Sequence, residues 1–282
     1  MGKTVKKNLL YIVLAVCAAM TISCKNRNAK DVKNEKTANE VVEVTKTILA
    51  DDVLSAIDGF AQTYIEETGK NSISNIITAN LTDKEKLVKP DYLLDPKEAN
   101  DMITRSQKIN ALAILVVENE IRKAYGMPID ESKKSIARLI TDLNHSISLE
   151  NQEKMSVSEK IKEDYNNCRE QGEIAAFWQF NSAVMREIFY IVSQNPEPFF
   201  RNMTDEQCAS IGIRFKSCRD AAIALAEYDE EIATVIDAFS KYRNKGKNND
   251  ADTIFSSVSS MKQYFISSKD AFAAYRAELL KQ

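Results

Sequence analysis

Apolar residues return every three or four positions over most of this chain, and the longest such run lies between Ser156 and Arg243. Ile161, Tyr165, Cys168, Gly172, Ala176, Phe180, Val184, Ile188 and Ile191 form one stripe. Cys208, Ile211, Phe215, Cys218, Ala222, Leu225, Tyr228, Ile232, Val235, Phe239 and Tyr242 form a second. That rhythm is the signature of a helix with one buried face. Each run opens on a Ser/Thr followed three residues later by Glu/Gln, Ser156 with Glu159 and Thr204 with Gln207. In this arrangement side chain and backbone satisfy each other's unpaired groups at a helix start. The break at 195–203 contains Pro196 and Pro198, so the pattern predicts two long helices folded back on one another.

The same reading places a helix at 38–68, with Val42, Leu49, Val53, Ile57, Phe60 and Tyr64 on one face, ended by Gly69. Residues 71–94 suggest two short helical turns closed by Pro90. Asp95-Pro96 then offers an N-cap and a first-turn proline for a helix running to Tyr125. Within it Ile109 to Val117 is apolar nearly all round and predicts the centre of the core. A shorter amphipathic helix follows at 130–145, and 244–250 is a polar turn. Ile254, Val258, Met261, Phe265, Ser268, Phe272, Tyr275 and Leu279 give the last helix, 252–280, a heptad seam whose expected partner is the 204–243 helix. The expected fold is all-α, an elongated antiparallel bundle of about four long helices with two or three shorter ones. Composition agrees, since only seven glycines and five prolines are available for the tight turns a strand-rich fold requires.

The first residues carry a different signal. Lys3, Lys6 and Lys7 precede the apolar run Leu9 to Ile22, which is followed by Ser23-Cys24. A basic segment, an apolar segment too short to span a bilayer and a small residue before the processing point make an export signal. The stretch Thr21-Ile22-Ser23-Cys24 resembles the lipobox of bacterial lipoproteins, with Thr21 where such motifs usually carry Leu. The resemblance implies that Cys24 is acylated and anchors the chain to a membrane. Lys25 in the next position implies the outer membrane of a Gram-negative cell. The domain reading is therefore a signal peptide at 1–23, a lipidated Cys24 with a polar tether at 24–37, and one helical domain at 38–282.

Charge narrows the partners. The whole chain carries −3, and loss of Lys3, Lys6 and Lys7 with the leader brings it to −6. The tether adds five basic and two acidic residues, which leaves −9 on the helical body. Nucleic acid is excluded as a partner, because binding a phosphate backbone needs a basic face.

Catalytic chemistry finds little material. His145 is the single histidine, so triads, His-rich metal centres and imidazole acid–base schemes lack their parts. Asp142 and His145 have i,i+3 spacing, but a di-metal bundle site needs a second such pair; a helix-terminal histidine is the plainer reading. Cys168, Cys208 and Cys218 fall on apolar stripes and read as core thiols, and in the expected hairpin register no two of them reach each other. The acidic run Glu227, Asp229, Glu230 and Glu231 points around its helix and reads as a solvated face. No cofactor and no metal are expected.

Two features keep two readings, and a third is a short resemblance. Phe199 and Phe200, at the turn of the hairpin, either cover the bundle end or offer a partner contact. Phe177 and Trp178 either pack in the core or line a groove. Asp252-Thr253-Ile254 resembles the short O-glycosylation acceptor of some Gram-negative envelope proteins. The expected function is a non-catalytic, lipid-anchored module that binds an envelope protein. A small-ligand or metal carrier with a pocket near Trp178 is the alternative, and a carboxylate-based hydrolase comes third.

Overall fold

The computed structural model describes residues 35–72, 80–144, 147, 155–226 and 251–281, and for 35–50 and 251 the helical backbone alone. Among these residues 78% are helical and none is in a strand, so the protein is an all-α helical bundle. The chain divides into two compact units, 1–51 and 52–282. The described part of the first unit is the beginning of helix α1, Glu35–Lys70. That helix starts inside the stretch expected as tether and runs through Gly69. A side chain at Gly69 would meet the Cβ of Ser158 at 3.0 Å, so this glycine admits a neighbour instead of ending the helix.

In the second unit the end of α1 is followed by α2 (Asp83–Leu87), a 3-10 turn (Glu98–Asp101), α3 (Arg105–Ala124), α4 (Asp130–Asp142) and α5 (Val157–Glu170). Then come α6 (Ile174–Gln194), α7 (Pro196–Phe200), α8 (Asp205–Ala226), α9 (Ala251–Ile254), α10 (Val258–Ser267) and α11 (Lys269–Leu279). Both predicted capping boxes form. Ser156 Oγ accepts from Glu159 N while the Glu159 carboxylate accepts from Ser156 N, and Thr204 and Gln207 repeat the exchange.

Three predicted long helices are shorter than their stripes. The first arm of the hairpin breaks at Gly172, whose φ of 72° is left-handed. There Glu173 N donates to Cys168 O at 2.7 Å and Gly172 N to Arg169 O at 3.2 Å. This double closure is the Schellman end of a helix, which glycine adopts without a Cβ penalty. The 95–125 helix starts only at Arg105. Asp95 Oδ1 accepts from Lys97 N, Met102 is extended, and Thr104 forms its own capping box with Gln107. The last helix is cut twice, where Ser257 caps α10 by accepting from Ser260 N and where Ser268 separates α10 from α11. The second arm is described only to Ala226; its continuation and the 244–250 turn lie outside the described residues.

The predicted core centre holds. Ile109, Ala111, Leu112, Ala113, Ile114 and Leu115 are all within 2% of full burial. Sequence periodicity gives α6 one stripe, yet 18 of its 21 residues are buried. It therefore shares the centre with α3, with which it makes the most extensive helix–helix contact among the described residues. This changes the partner of the last helix. The seam residues Met261, Phe265, Phe272, Tyr275 and Leu279 are buried, but Phe265 and Phe272 lie on Phe189 of α6, with centroids 5.0 and 5.9 Å apart. Aromatic edge-to-face packing of this kind adds roughly 0.5–1.5 kcal/mol per pair beyond area burial. The second arm meets the start of the last segment, where Phe215 lies 5.8 Å from Phe255 between centroids and an added Cβ at Gly212 would stand 2.6 Å from the Cβ of Phe255.

Candidate functional site

Two arrangements of polar side chains stand out, one on the surface and one inside. The surface one is a groove of about 540 Å³ between α1 and α5, lined by Asp58, Ala61, Gln62, Ile65 and Glu66 and, opposite them, by Lys162, Tyr165, Asn166 and Arg169. Asp58, Gln62 and Glu66 are four residues apart and so share one face of α1. Arg169 grips Asp58 as a fork, Nε to Oδ1 at 3.0 Å and Nη2 to Oδ2 at 3.1 Å, and Tyr165 donates its hydroxyl to Asp58 Oδ1 at 2.5 Å. Burial alone would push the Asp58 carboxyl up, but the donors from Arg169 and Tyr165 outweigh it and hold it below its ordinary value. With a depressed pKa, whatever this contact contributes to stability is present above the ordinary carboxylate range and is lost as pH falls through the folded value. Burial, then Asp58, pushes the Tyr165 hydroxyl up.

The interior arrangement joins α3, α6 and α11. Glu118 and Glu187 are 0% and 1% exposed. Between them lies the guanidinium of Arg276, whose Nε donates to Glu187 Oε2 at 2.9 Å and whose Nη2 donates to Glu118 Oε1 at 2.5 Å. Arg276 also covers the Tyr190 ring at 4.7 Å. The Glu118 carboxyl accepts from Leu94 N at 2.8 Å, and Arg122, 3.6 Å away, donates to Leu94 O at 2.6 Å. Burial drives both carboxyl groups above their ordinary value. For Glu187, Arg276 opposes the rise and the neighbouring Glu118 adds to it. Two inward carboxyls are a starting point for acid–base chemistry, but here they face each other and an arginine. Nothing in the described surroundings opens a cleft to a substrate.

The sequence-predicted residues fall as follows. Phe199 and Phe200 are 2% and 6% exposed. They pack edge to face on each other, and Phe200 also meets Phe265. Of the two readings of this tip, the burial of both rings supports the first: α7 folds them inward to cover the bundle end. The space left there, beside Phe199, Tyr125 and Asn195, is a cavity of about 10 Å³, roughly one water in size. Phe177 and Trp178 are 1% and 0% exposed. Trp178 meets Tyr64 at 6.0 Å and Phe177 at 5.3 Å between centroids, both edge to face. They are core residues and line no open groove; the Trp178 Nε1 is buried without a hydrogen-bond partner among the described residues.

Cys168, Cys208 and Cys218 are buried thiols joined in no disulfide, each pushed up to about 12 by burial. Asp142 pairs with Lys108 at 2.9 Å. Cys24, His145 and the 227–231 acidic run lie outside the described residues. Thr253 is exposed on α9, beside Asp252, which pairs with Lys216. Among the described residues no group of three or more His, Cys, Asp and Glu is placed to hold a metal, and no helix is long and apolar enough to cross a membrane.

Exposed apolar side chains do not gather into a patch at the ends of α3. Leu87 and Val88 precede Lys89, which donates to Tyr125 O at the C-terminal end of that helix, and Ile103 precedes its N-terminal end. Twenty residues of helix separate these points, about 30 Å.

The buried charge cluster was missed at the sequence level because Glu118, Glu187 and Arg276 sit 69 and 89 residues apart on three different helices. One local signal was legible: Glu118 and Glu187 each interrupt a predominantly apolar stretch. A search of protein-family models, of curated proteins and of solved structures finds no match to this chain.

Proposed function

We propose that the protein is a lipid-anchored, non-catalytic module of the bacterial envelope that binds another protein. The anchor rests on Lys3, Lys6, Lys7, the apolar run and Cys24. The observation that carries the binding reading is the disposition of the polar groups. The acids buried in the core are occupied by Arg276, Arg122 and the Leu94 amide, while a mixed-charge groove with Gln62, Glu66, Lys162 and Asn166 on its walls lies at the surface. A surface of both signs, with a half-buried isoleucine and a tyrosine on its walls, suits a polar protein contact. The carrier alternative was tied to a pocket near Trp178, and that side chain is enclosed on all sides. The hydrolase reading would need its two carboxyls to face a substrate.

The test combines anchor and groove. A photo-reactive residue at Gln62 or Lys162, in cells that make the full chain, is expected to capture a discrete protein partner. The same residue on the α8 face, at Ile213, is expected to capture none. Cys24→Ala is expected to abolish incorporation of labelled fatty acid and release the protein from the membrane fraction. Capture that is equal from both faces would refute the groove as a binding surface, and unchanged fatty-acid labelling in Cys24→Ala would refute the anchor.

A further inference from the structure

Two contacts fix the register of the groove between α1 and α5. At one end Arg169 forks onto Asp58. At the other a Cβ on Gly69 would stand 3.0 Å from the Cβ of Ser158, so the two helices come close there. Gly69 lies eleven positions after Asp58, and Ser158 eleven before Arg169. The helices therefore run antiparallel and in step over about 16 Å, at 1.5 Å per residue. Between the two contacts, level to within one residue, Glu66 stands across from Lys162 and Gln62 across from Asn166. All four are exposed. The first pair does not meet across the gap: Glu66 accepts from Gln62 Nε2 on its own helix at 3.0 Å, and Lys162 makes no ion pair among the described residues.

Each wall thus carries, level by level, the complement of the other: acid across from base at both ends, amide across from amide between them. A half-turn about an axis along the groove lays α1 of one molecule over α5 of another without changing any level. Glu66 then meets Lys162 of the second copy, Lys162 meets its Glu66, and Gln62 meets its Asn166. A surface that is its own complement under a half-turn is what an isologous contact requires. We propose that the occupant of the groove is a second copy of this chain, docked about such a two-fold axis. The proposal rests on the reading of the groove as a protein-binding surface and names the partner. An unrelated protein would have to reproduce this order and spacing of charges, whereas a second copy carries it already. Asp58 and Arg169 are satisfied within each chain, so the new ion pairs are the two made by Glu66 and Lys162. The strip, about 16 Å long and two helix diameters wide, covers roughly 300 Å² on each copy, below the ~800 Å² per partner of a standard interface. The contact is therefore weak between copies free in solution, and it forms where the acyl anchor proposed at Cys24 holds copies side by side at high local concentration. Because its ion pairs are exposed, it weakens as salt rises.

The test places a photo-reactive residue at Asn166, which leaves Glu66 and Lys162 intact, in cells that make the full chain. The expected product is an adduct of twice the chain's mass in which a peptide of α5 is joined to the α1 peptide around Gln62. Glu66→Lys or Lys162→Glu alone sets like charges against each other at both ion pairs and is expected to lower the yield of this adduct about tenfold or more. The variant with both substitutions has every charge reversed and complementary again, and is expected to recover the adduct. An adduct that survives both single substitutions unchanged, or that the double variant does not recover, overturns the two-fold pairing. Capture of a different protein overturns the second copy as the occupant and leaves the groove as a protein-binding surface, whereas no capture at all overturns both.

Discussion

Replacing Arg276 by Met removes the cation from the interior cluster while keeping a long apolar side chain in its place. In the native fold Arg276 makes three hydrogen bonds to Glu118 and Glu187 and is itself largely buried. Breaking a buried ion pair from one side costs about 3–5 kcal/mol, because the remaining charge is left without compensation. The pair has one escape, which is to take up protons. From an ordinary value of 4.5, neutralising one carboxyl at pH 7 costs about 3.4 kcal/mol, at 1.36 kcal/mol per pH unit. The same step at pH 5 costs about 0.7 kcal/mol. The expected result is a loss of about 3–5 kcal/mol at pH 7 that shrinks by about 2–3 kcal/mol at pH 5. Urea unfolding followed by far-UV circular dichroism, with Cm and m read at both pH values, measures it. A loss that is the same at both pH values, or below about 1 kcal/mol at pH 7, would refute the claim that Arg276 neutralises buried acids. The triple variant Glu118→Gln, Glu187→Gln, Arg276→Met should recover most of the loss, since a matched neutral core has no orphaned charge.

Other consequences are as direct. Gly172→Ala should cost about 1–2 kcal/mol in the same assay, because φ at 172 is left-handed while the space beside it is open; a neutral result would remove the glycine-specific helix end. Gly212→Val should destabilise by at least about 1–3 kcal/mol, since its Cβ would fall 2.6 Å from that of Phe255, and a stabilised variant would mean that α8 and the 251–256 segment are not in contact. In a Cys17→Ser, Cys24→Ser background, Cys168, Cys208 and Cys218 should react with a thiol reagent at pH 8 only after unfolding, as buried thiols pushed up to about 12; rapid reaction of the native protein would contradict their enclosure.

Much of the helical content was legible from local order. Apolar periodicity marks α1, α3, α4, α5, α6, α8 and the last segment, and the capping boxes at Ser156 and Thr204 form as read. The breaks were legible too, in residues that the longer stripe overrode. Thr104 with Gln107 is a capping box in mid-stripe, and Gly172 two residues after Glu170 is a helix end. Stripes run across both breaks because a tertiary core needs apolar residues on either side of a turn as much as within one helix, so periodicity alone does not tell a continuous helix from two collinear ones.

What the sequence determines by itself is what depends on neighbours within about one or two helical turns: helical class, caps, the apolar run around Ile114 and the lipobox-like start. Only the tertiary structure decides pairing and exposure. It turns Phe199 and Phe200 inward onto the last segment, encloses Trp178 against Tyr64, and makes α6, not the second arm, the seat of the C-terminal seam. It also brings Glu118, Glu187 and Arg276 together from three helices. Charges so far apart in sequence carry no mark of their meeting, because burial and pairing belong to the packed bundle and to no single helix in it.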